Sequence, residues 1–468
     1  MNYISTRGTA PELAFDDVLL AGLARDGGLY LPKSWPVLSP ETIRSFKDKS
    51  FADIAVEVIH PFVGDTISHA ELKAMADDAY ASFGDPAVVP LVELAPGRYI
   101  LELFHGPTLA FKDVAMQLLA RLMDHVLEKR SQRATIVGAT SGDTGGAAIE
   151  AFRSSKRVDV IILFPDGRVS DVQRRMMTTP KETNVHAVAV KGTFDDCQAL
   201  VKAMFNDHAF RDRVQLSGVN SINWARIVAQ VTYYFAAASR LGAPDTAVSF
   251  SVPTGNFGDI FAGYVARRMG LPIEQLIIAS NENDILPRTV ATGVYEMKGV
   301  VATSSPSMDI QISSNFERYL FEAAGRDASV IRGLMSDLGA KKRFELGALW
   351  PVLKSDFTAA AASETDVADC IRATKANHGY VLDPHTACGV VAADRDGTRD
   401  GAMVVLATAH PAKFPDAIEA ITGERPRLPA RLANLMTDKE RFEVVANGLS
   451  NVEAFVETVA DASKKVAR

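Results

Sequence analysis

The chain has 468 residues, of which 47% are hydrophobic and 23% are charged, and its formal net charge is -7. This length exceeds one ordinary compact core, so we expect two or three domains. The acidic balance and the lack of a long basic run argue against nucleic acid as a partner, because phosphate backbones require clustered Lys and Arg. A small anionic substrate is compatible with this composition, because a local pocket can be positive on an acidic protein.

Three cysteines, Cys197, Cys370 and Cys388, show no metal-ligand spacing and are too sparse for a disulfide framework. The first residues lack the apolar core of a secretory signal, and no apolar run is long enough to span a membrane. We therefore expect a cytoplasmic protein with reduced thiols, no membrane association and no bound metal.

In chain order, the predicted elements begin with a mostly helical segment, residues 1–86, that ends at Asp85-Pro86. Residues 87–425 alternate strands with helices, which is typical of parallel sheets flanked by helices. Residues 426–468 have the pattern of an amphipathic helical appendage. The sequence thus predicts an α/β protein with an N-terminal helical domain, a central region of two α/β subdomains and a C-terminal helical part.

Within the central region, three predicted strands each lead into a loop of small or polar residues. The pairs of strand and loop are Ala134–Gly138 with Ala139–Gly146, Ala247–Val252 with Thr254–Gly258, and Ala402–Ala407 with Thr408–Phe414. Ligands of open α/β sheets bind beyond the carboxyl ends of strands, so we expect the functional site at these loops.

The first loop reads Ala-Thr-Ser-Gly-Asp-Thr-Gly-Gly and precedes a helix predicted over Asp143–Phe152. Small residues let backbone N–H groups approach an anion at a helix N-terminus, and Thr140, Ser141 and Thr144 add hydroxyl groups. The loop matches neither the Walker A motif nor the G-x-G-x-x-G fingerprint. Taken alone, it is explained equally well as a tight turn capped by Asp143.

The second loop reads Thr-Gly-Asn-Phe-Gly and also lies between a strand and a helix. Gly255, Gly258 and the dipole of the following helix suit a phosphate group. An ordinary glycine turn would explain this loop if it stood alone. Two such loops in one region favour a ligand with separate anionic groups.

Lys112 follows Ala110 and Phe111 at the junction of a loop and a predicted helix. Partial burial would disfavour the ammonium form and leave a nucleophilic amine, which a lysine needs to bind a carbonyl cofactor covalently. The alternative is a surface lysine at a helix start, where the helix dipole would disfavour its charge.

Six segments, in this order along the chain, resemble the threonine synthases, which are pyridoxal-phosphate (PLP) enzymes of fold type II with a tryptophan synthase β-like fold. They are His105–Asp113, Ala139–Gly145, Gly192–Gln198, Ser221–Arg226, Pro253–Asp259 and Thr408–Phe414. The resemblance covers most of the chain, and the length indicates the longer subgroup with an extra N-terminal domain.

The resemblance implies a role for each matching residue. Lys112 would carry PLP and move protons, and Thr408 would face the pyridine nitrogen. The cofactor phosphate would be held by Gly255, Asn256, Phe257 and Gly258. The substrate carboxylate would be received by Thr140, Ser141, Gly142, Asp143 and Thr144. The substrate phosphate would be held by Ser221 and Arg226.

Asp143 departs from many fold-type-II enzymes, which have Asn at the matching position. A carboxylate there would repel the phenolic oxygen of the cofactor unless it is protonated or turned away. Three histidines in or near the site segments, His105, His385 and His410, either line the pocket or act as structural hydrogen-bonding groups.

The resemblance implies conversion of O-phospho-L-homoserine and water to L-threonine and phosphate, by PLP-dependent γ-elimination and addition of water at Cβ. One alternative is a phospho-lyase that converts the same substrate to 2-oxobutyrate, and another is a non-catalytic PLP-binding homologue. A threonine dehydratase is disfavoured because its lysine context differs from Ala-Phe-Lys-Asp. We expect a monomer or a homodimer.

Overall fold

The protein is described by a computed structural model that covers residues 1–397 and 401–466. The strands are β1 (Asn2–Ser5), β2 (Leu13–Ala14), β3 (Tyr30–Pro32), β4 (Leu91–Ala95), β5 (Arg98–Glu102), β6 (Ala134–Ala139), β7 (Val158–Pro165), β8 (Val185–Lys191), β9 (Leu216–Ser217), β10 (Val248–Pro253), β11 (Ile273–Ser280), β12 (Val294–Glu296), β13 (Arg343–Glu345), β14 (Phe357–Ala361), β15 (Ala402–Ala407) and β16 (Glu443–Ala446). The α-helices are α1 (Phe15–Ala21), α2 (Pro40–Ser45), α3 (Phe51–Val63), α4 (His69–Tyr80), α5 (Lys112–Lys129), α6 (Asp143–Phe152), α7 (Asp171–Thr178), α8 (Phe194–Asn206), α9 (His208–Arg213), α10 (Trp224–Arg240), α11 (Gly258–Arg268), α12 (Ile285–Thr292), α13 (Phe316–Ala323), α14 (Ala328–Lys341), α15 (Leu349–Asp356), α16 (Glu364–His378), α17 (Pro384–Asp396), α18 (Pro415–Thr422) and α19 (Leu449–Val466).

Two sheets flanked by helices form the central framework. One has the strand order β14-β11-β10-β15-β5-β4, with parallel neighbours except for β4, which runs antiparallel to β5. The other has the order β16-β8-β7-β6-β9 and is parallel throughout. This architecture confirms the predicted fold class.

The strand composition explains why these sheets lie inside the protein. β7 is buried at every position, and its sequence Val-Asp-Val-Ile-Ile-Leu-Phe-Pro is almost continuously apolar. Helices cover parallel sheets on both faces, so such strands lose the alternating pattern of a half-exposed strand.

The N-terminal segment contains helices α1 to α4, as predicted, together with a small antiparallel sheet of order β2-β1-β3 that the sequence analysis did not predict. The C-terminal segment contains the predicted helix, α19, together with β16, which adds a parallel strand beside β8. These added strands have only two to four residues, too few for a clear alternating pattern. The domain boundaries stay predictions.

Arg318, at the start of α13, joins the N-terminal segment to the central region. Its buried guanidinium donates to the carbonyl oxygen of Tyr30 at 3.1 Å. It also donates to the carbonyl oxygens of Ser221 at 3.3 Å and Ile222 at 2.6 Å, and to the side chain of Asn315. One side chain thus connects β3, the turn before α10 and the loop before α13.

The three cysteines are free thiols, with Cys197 and Cys388 buried and Cys370 half-buried. Their unpaired state agrees with the sequence interpretation of reduced thiols. Across residues 1–397 and 401–466, none of the helices combines the length and apolar character needed to cross a bilayer.

Candidate active site

The three predicted loops and Lys112 meet between the two central sheets. β6 of one sheet leads to the loop before α6, while the neighbouring strands β10 and β15 of the other sheet lead to the loops at Thr254 and Thr408. The Nζ atom of Lys112 lies 3.3 Å from a carboxylate oxygen of Asp143. The hydroxyl of Ser307 donates to the same oxygen at 3.0 Å. The structure therefore brings together loops that are far apart in the sequence.

Lys112 is the first residue of α5 and is buried, with 8% of its surface exposed. Its Nζ atom lies 4.8 Å from the centre of the Phe111 ring. Burial lowers the pKa of Lys112; the positive charges of Lys413 and Arg226 lower it further, while Asp143 acts in the opposite direction. Burial therefore favours the free amine that covalent binding of an aldehyde requires.

The carboxylate of Asp143 accepts two hydrogen bonds on each oxygen. One oxygen accepts from the Nζ of Lys413 at 2.6 Å and from the amide of Gln173 at 3.0 Å, and the other accepts from Lys112 and Ser307. Burial opposes ionisation, but Lys413 and Lys112 outweigh it and hold the pKa of Asp143 well below its usual range. The side chain is therefore ionised and turned toward Lys413.

The backbone N–H groups of residues 255–258 are free within the described part of the chain, while that of Thr254 donates to the carbonyl oxygen of Ala279 at 2.7 Å. The carbonyl of Gly255 accepts from the Ser313 hydroxyl at 2.7 Å, and the carbonyl of Asn256 accepts from the backbone N–H of Asn315 at 3.0 Å. Among the described residues, the N–H groups of 255–258 find no hydrogen-bond partner. With the carbonyls held away and α11 beginning at Gly258, these N–H groups, here called the cradle, could hold an anion.

Two backbone features keep the cradle tight. A Cβ atom at Gly255 would lie 2.9 Å from the carbonyl oxygen of Ser307, closer than ordinary contacts allow. Phe257 adopts the left-handed conformation with φ of 64°, and its buried ring packs against Phe316 and Phe357. Strained backbone of this kind persists where the surrounding packing enforces it, often at ligand sites.

The loop before α6 offers a second set of free donors. The hydroxyl oxygen of Thr140 accepts from the N–H groups of Gly142 and Gly145, both at 2.9 Å, so its oxygen shapes the loop itself. Among the described residues, the N–H groups of Ser141, Asp143 and Thr144 have no partner. Since α6 begins at Asp143, these donors lie at a helix N-terminus and suit a carboxylate.

Thr408 lies next to the start of α5. Its carbonyl oxygen accepts from the N–H of Phe111 at 2.9 Å, and the N–H of His410 donates to the carbonyl of Leu109 at 3.0 Å. The residue is buried, with 5% of its surface exposed. These bonds align the segment after β15 with the segment that ends in Lys112, as the predicted site requires.

Ser221 and Arg226 lie close to the cradle rather than in a separate place. A Cβ atom at Gly258 would lie 3.5 Å from the Cβ of Ser221. Arg226 is buried, and burial lowers its pKa to about 10. Its Nε atom has no hydrogen-bond partner among the described residues. Its Nη1 atom donates to the carbonyl oxygen of Val219 at 3.3 Å, but no carboxylate lies within ion-pair distance of the guanidinium among the described residues. A buried charge without an opposite charge beside it is costly, so this side chain is suited to an anionic ligand.

Four residues at the site received no role from the sequence analysis. They are Gln173, Ser307, Asp259 and Lys413. Lys413 and Asp259 lie inside the matching segments Thr408–Phe414 and Pro253–Asp259, so membership of those segments was the available signal. Gln173 and Ser307 reach Asp143 across 30 and 164 residues of sequence and carry no local signal.

The side chains and backbone groups of this site fit PLP. The cradle at 255–258 has unpaired donors for a phosphate, and Lys112 has a buried amine for the aldehyde. Thr408 lies on the segment that is hydrogen-bonded to the start of α5, where a hydroxyl could meet the ring. The fold and this set of groups define a fold-type-II PLP-dependent enzyme.

Comparisons with known proteins agree. Residues 2–80 match the family model "Threonine synthase N terminus", residues 89–409 match "Pyridoxal-phosphate dependent enzyme", and residues 386–456 match "Threonine synthase, C-terminal". The threonine synthase of Pseudomonas aeruginosa is 51% identical over 460 residues, which cover 97% of this chain and 98% of that protein. The chain belongs to the threonine synthase family.

Solved structures give the same result. The PLP-bound threonine synthase of Brucella melitensis is 59% identical, with a TM-score of 0.95 and coverage of 98% of this chain and 99% of that one. The threonine synthase of yeast is 38% identical, with a TM-score of 0.91 and coverage of 99% of both chains. The expected family, enzyme class and cofactor are confirmed: the protein is a PLP-dependent lyase.

Proposed function

We propose that the protein converts O-phospho-L-homoserine and water to L-threonine and phosphate. The observation that carries the proposal is the arrangement of three anion-binding features around Lys112: the cradle at 255–258, the loop at 140–144 and the guanidinium of Arg226, whose Nε atom has no partner among the described residues. PLP has one phosphate, and this substrate has a carboxylate and a second phosphate. The number of anionic groups therefore equals the number of anion-binding features.

In the proposed reaction, bound PLP supplies an electron sink for negative charge that develops next to the substrate amine. Lys112 holds the cofactor and, once released, takes the proton from Cα as an unprotonated amine. Burial, which lowers the pKa of Lys112, favours that state. The N–H groups of Ser141, Asp143 and Thr144 hold the substrate carboxylate, and Ser221 with Arg226 holds the leaving phosphate.

Asp143 contributes to carboxylate binding through its backbone, since its own carboxylate is occupied by four donors. This arrangement also keeps its negative charge turned toward Lys413. The proposed assignment of residues 140–144 therefore gives Thr140 a loop-shaping role and the helix N-terminus the role of anion binding.

Identification of the product tests the proposal. The purified holoenzyme with O-phospho-L-homoserine should release phosphate and threonine in equal amounts. A matched variant, Lys112→Ala, should lose this activity while keeping its fold. Formation of 2-oxobutyrate as the main product would support the lyase alternative, and a protein that binds PLP but releases no phosphate would support the non-catalytic one.

Thr408 provides a residue-level test of the proposed cofactor orientation. Thr408→Val keeps the shape of the side chain but removes the hydroxyl proposed to meet the pyridine nitrogen. We expect an altered absorbance spectrum of bound PLP and slower turnover, with an unchanged melting temperature. An unchanged spectrum together with unchanged turnover would remove Thr408 from the site.

We further propose that the protein acts in the cytoplasm as a monomer or homodimer without nucleic-acid partners. The net charge of -7 and the free thiols support this proposal. Light scattering after size-exclusion chromatography measures the assembly state, and a tetramer would contradict it.

A further inference from the structure

A second lysine, Lys413, shares the carboxylate that Lys112 contacts. The Nζ of Lys413 lies 2.6 Å from one oxygen of Asp143, and the Nζ of Lys112 lies 3.3 Å from the other. The exposed fractions of the side chains are 1% for Lys413, 10% for Lys112 and 4% for Asp143. Two buried lysine side chains thus contact one buried carboxylate, and the shorter contact belongs to Lys413.

The position of Lys413 is fixed independently of Asp143. Its Nζ also donates to the carbonyl oxygen of Thr108 at 2.8 Å. Thr108 in turn donates its N–H and hydroxyl to Asp113, at 2.8 and 2.6 Å, in the first turn of the helix that begins with Lys112. Lys413 is therefore held between the loop before α5 and the N-terminus of α6.

The proton on Lys112 depends on this competition. The amine must be unprotonated to attack the cofactor and to act as a base, yet an unpaired carboxylate nearby would stabilise its protonated form. Lys413, which already pairs with the carboxylate of Asp143, reduces this stabilisation of protonated Lys112. When Lys112 is engaged elsewhere, Lys413, Gln173 and Ser307 still satisfy Asp143.

We propose that Lys413 is a positioning residue that neutralises Asp143, so that Asp143 orients Lys112 without holding a proton on it. This inference rests on the proposed role of Lys112 as the lysine that binds PLP. Lys413 acts on Lys112 in two ways, and both favour the unprotonated amine. It occupies the carboxylate of Asp143, and its own positive charge repels a second positive charge on Lys112.

Other charged groups also act on Lys112, Asp143 and Lys413. Around Lys112, Asp143 and Lys413, these groups are Arg226 from α10, Asp259 from α11, Asp113 from α5 and His385 from α17. They are unchanged in the variants below, so differences between variants report on the pair formed by Asp143 and Lys413.

The test is the pH titration of the lysine–PLP linkage in the holoenzyme, followed by absorbance. Lys413→Met leaves Asp143 to stabilise the protonated linkage, so the titration midpoint should rise by about one pH unit or more. Asp143→Asn removes the stabilising charge, so its midpoint should fall. The double variant should lie between the two, and Lys413→Arg, which keeps the charge, should stay near the wild type.

A merely structural role would weaken PLP retention in both single variants without moving the midpoints in opposite directions. Equal or same-direction shifts overturn the proposal. Lys341→Met is the matched control, since that exposed lysine pairs with Asp337 away from the site. Borohydride reduction and peptide mapping separate the two assignments: a label on Lys413 would refute the proposed role of Lys112, while a label on Lys112 with unmoved midpoints refutes only the role of Lys413.

Discussion

Gly255 shows how one residue without a side chain shapes the site. A Cβ atom at this position would lie 2.9 Å from the backbone of Ser307, and backbone atoms cannot rotate aside as a flexible side chain can. The Ser307 segment also contacts Asp143 through a hydrogen bond. A substitution at Gly255 therefore affects both the cradle and the contacts that Asp143 makes with Lys112 and Lys413.

We expect Gly255→Val to weaken PLP binding at least about tenfold, equivalent to about 1.4 kcal/mol, because the loop before α13 must move away from the cradle. The measurement is the dissociation constant of PLP from fluorescence titration. Gly333→Val is the control, since an added Cβ at Gly333 meets no atom within 4 Å. Equal PLP affinity in wild type and Gly255→Val would show that this loop does not hold the cofactor.

Asp259 is a buried carboxyl group that receives hydrogen bonds from the hydroxyl groups of Tyr233 and Tyr234. Burial raises its pKa from 3.8 to about 7, although these hydrogen bonds act in the opposite direction. In the unfolded chain the pKa is near 3.9. Between these values the folded state keeps a proton that the unfolded state releases, so stability falls as pH rises from about 4 to 7.

Asp259→Asn keeps the shape and removes this titration. The variant should therefore gain stability relative to the wild type as pH rises, by about 2 kcal/mol between pH 5 and pH 8. Urea unfolding of both proteins at the two pH values gives this difference. A stability difference that does not change with pH would show that Asp259 titrates normally.

Among individual residues, the sequence predicted those whose proposed roles depend on a local pattern. The switch from strand to loop to helix marks residues 140–144 and 254–258, and both loops lie at the site. The roles of Gln173, Ser307 and Lys413 depend on a shared contact with Asp143, which only the folded chain creates. Single-sequence patterns contain no information on such long-range partners, so these roles could not be predicted.

Helix α13 connects the active-site loop to the N-terminal segment. Glu317 on this helix accepts from the hydroxyl of Thr6 at 2.6 Å and from the guanidinium of Arg7 at 3.0 and 3.1 Å. Its side chain is 8% exposed, so these charge-assisted bonds are shielded from water. The element that follows the Ser307–Asn315 loop is thereby fixed to the first residues of the chain.

Glu317→Gln removes the charge but keeps one acceptor, so we expect the free energy of unfolding to fall by about 1 to 3 kcal/mol. The matched control is Glu345→Gln, because Glu345 forms an exposed ion pair with Arg343. Exposed pairs contribute at most about 1 kcal/mol, so its effect should be small. Equal effects of the two changes on the urea midpoint would argue against a structural link through Glu317.

For elements, the long buried strands and their following helices were predictable, whereas the shortest strands were not. β15 was predicted with its observed bounds, Ala402–Ala407, because six apolar residues end in a polar motif. β16 has four residues, mostly exposed, and pairs with β8 across most of the chain. Its strand conformation depends on that partner rather than on its own sequence.

For the whole molecule, the connections of Arg318 couple distant parts of the chain to one another. This guanidinium binds the carbonyl of Tyr30 in β3, and Tyr30 is the register partner of Ser5 in β1. It also binds Asn315, whose backbone N–H holds the carbonyl of Asn256 in the cradle. Opening of the N-terminal sheet would therefore disturb the residues proposed to hold the cofactor phosphate.

A ligand that binds only the folded site lowers the population of every local unfolding event that breaks that site. The reduction is greater when more of the protein has the ligand bound. Amide hydrogens of β1 and β3 should then exchange with deuterium more slowly in the PLP-bound protein than after PLP removal, although neither strand belongs to the proposed PLP site. Amides of α19, which packs on α8 away from Arg318 and its partners, should exchange at equal rates in both forms. Slower exchange in the N-terminal strands would thus report cofactor occupancy at a distance from the site. If Arg318→Met abolishes the difference between the two forms, the guanidinium of Arg318 is responsible for it.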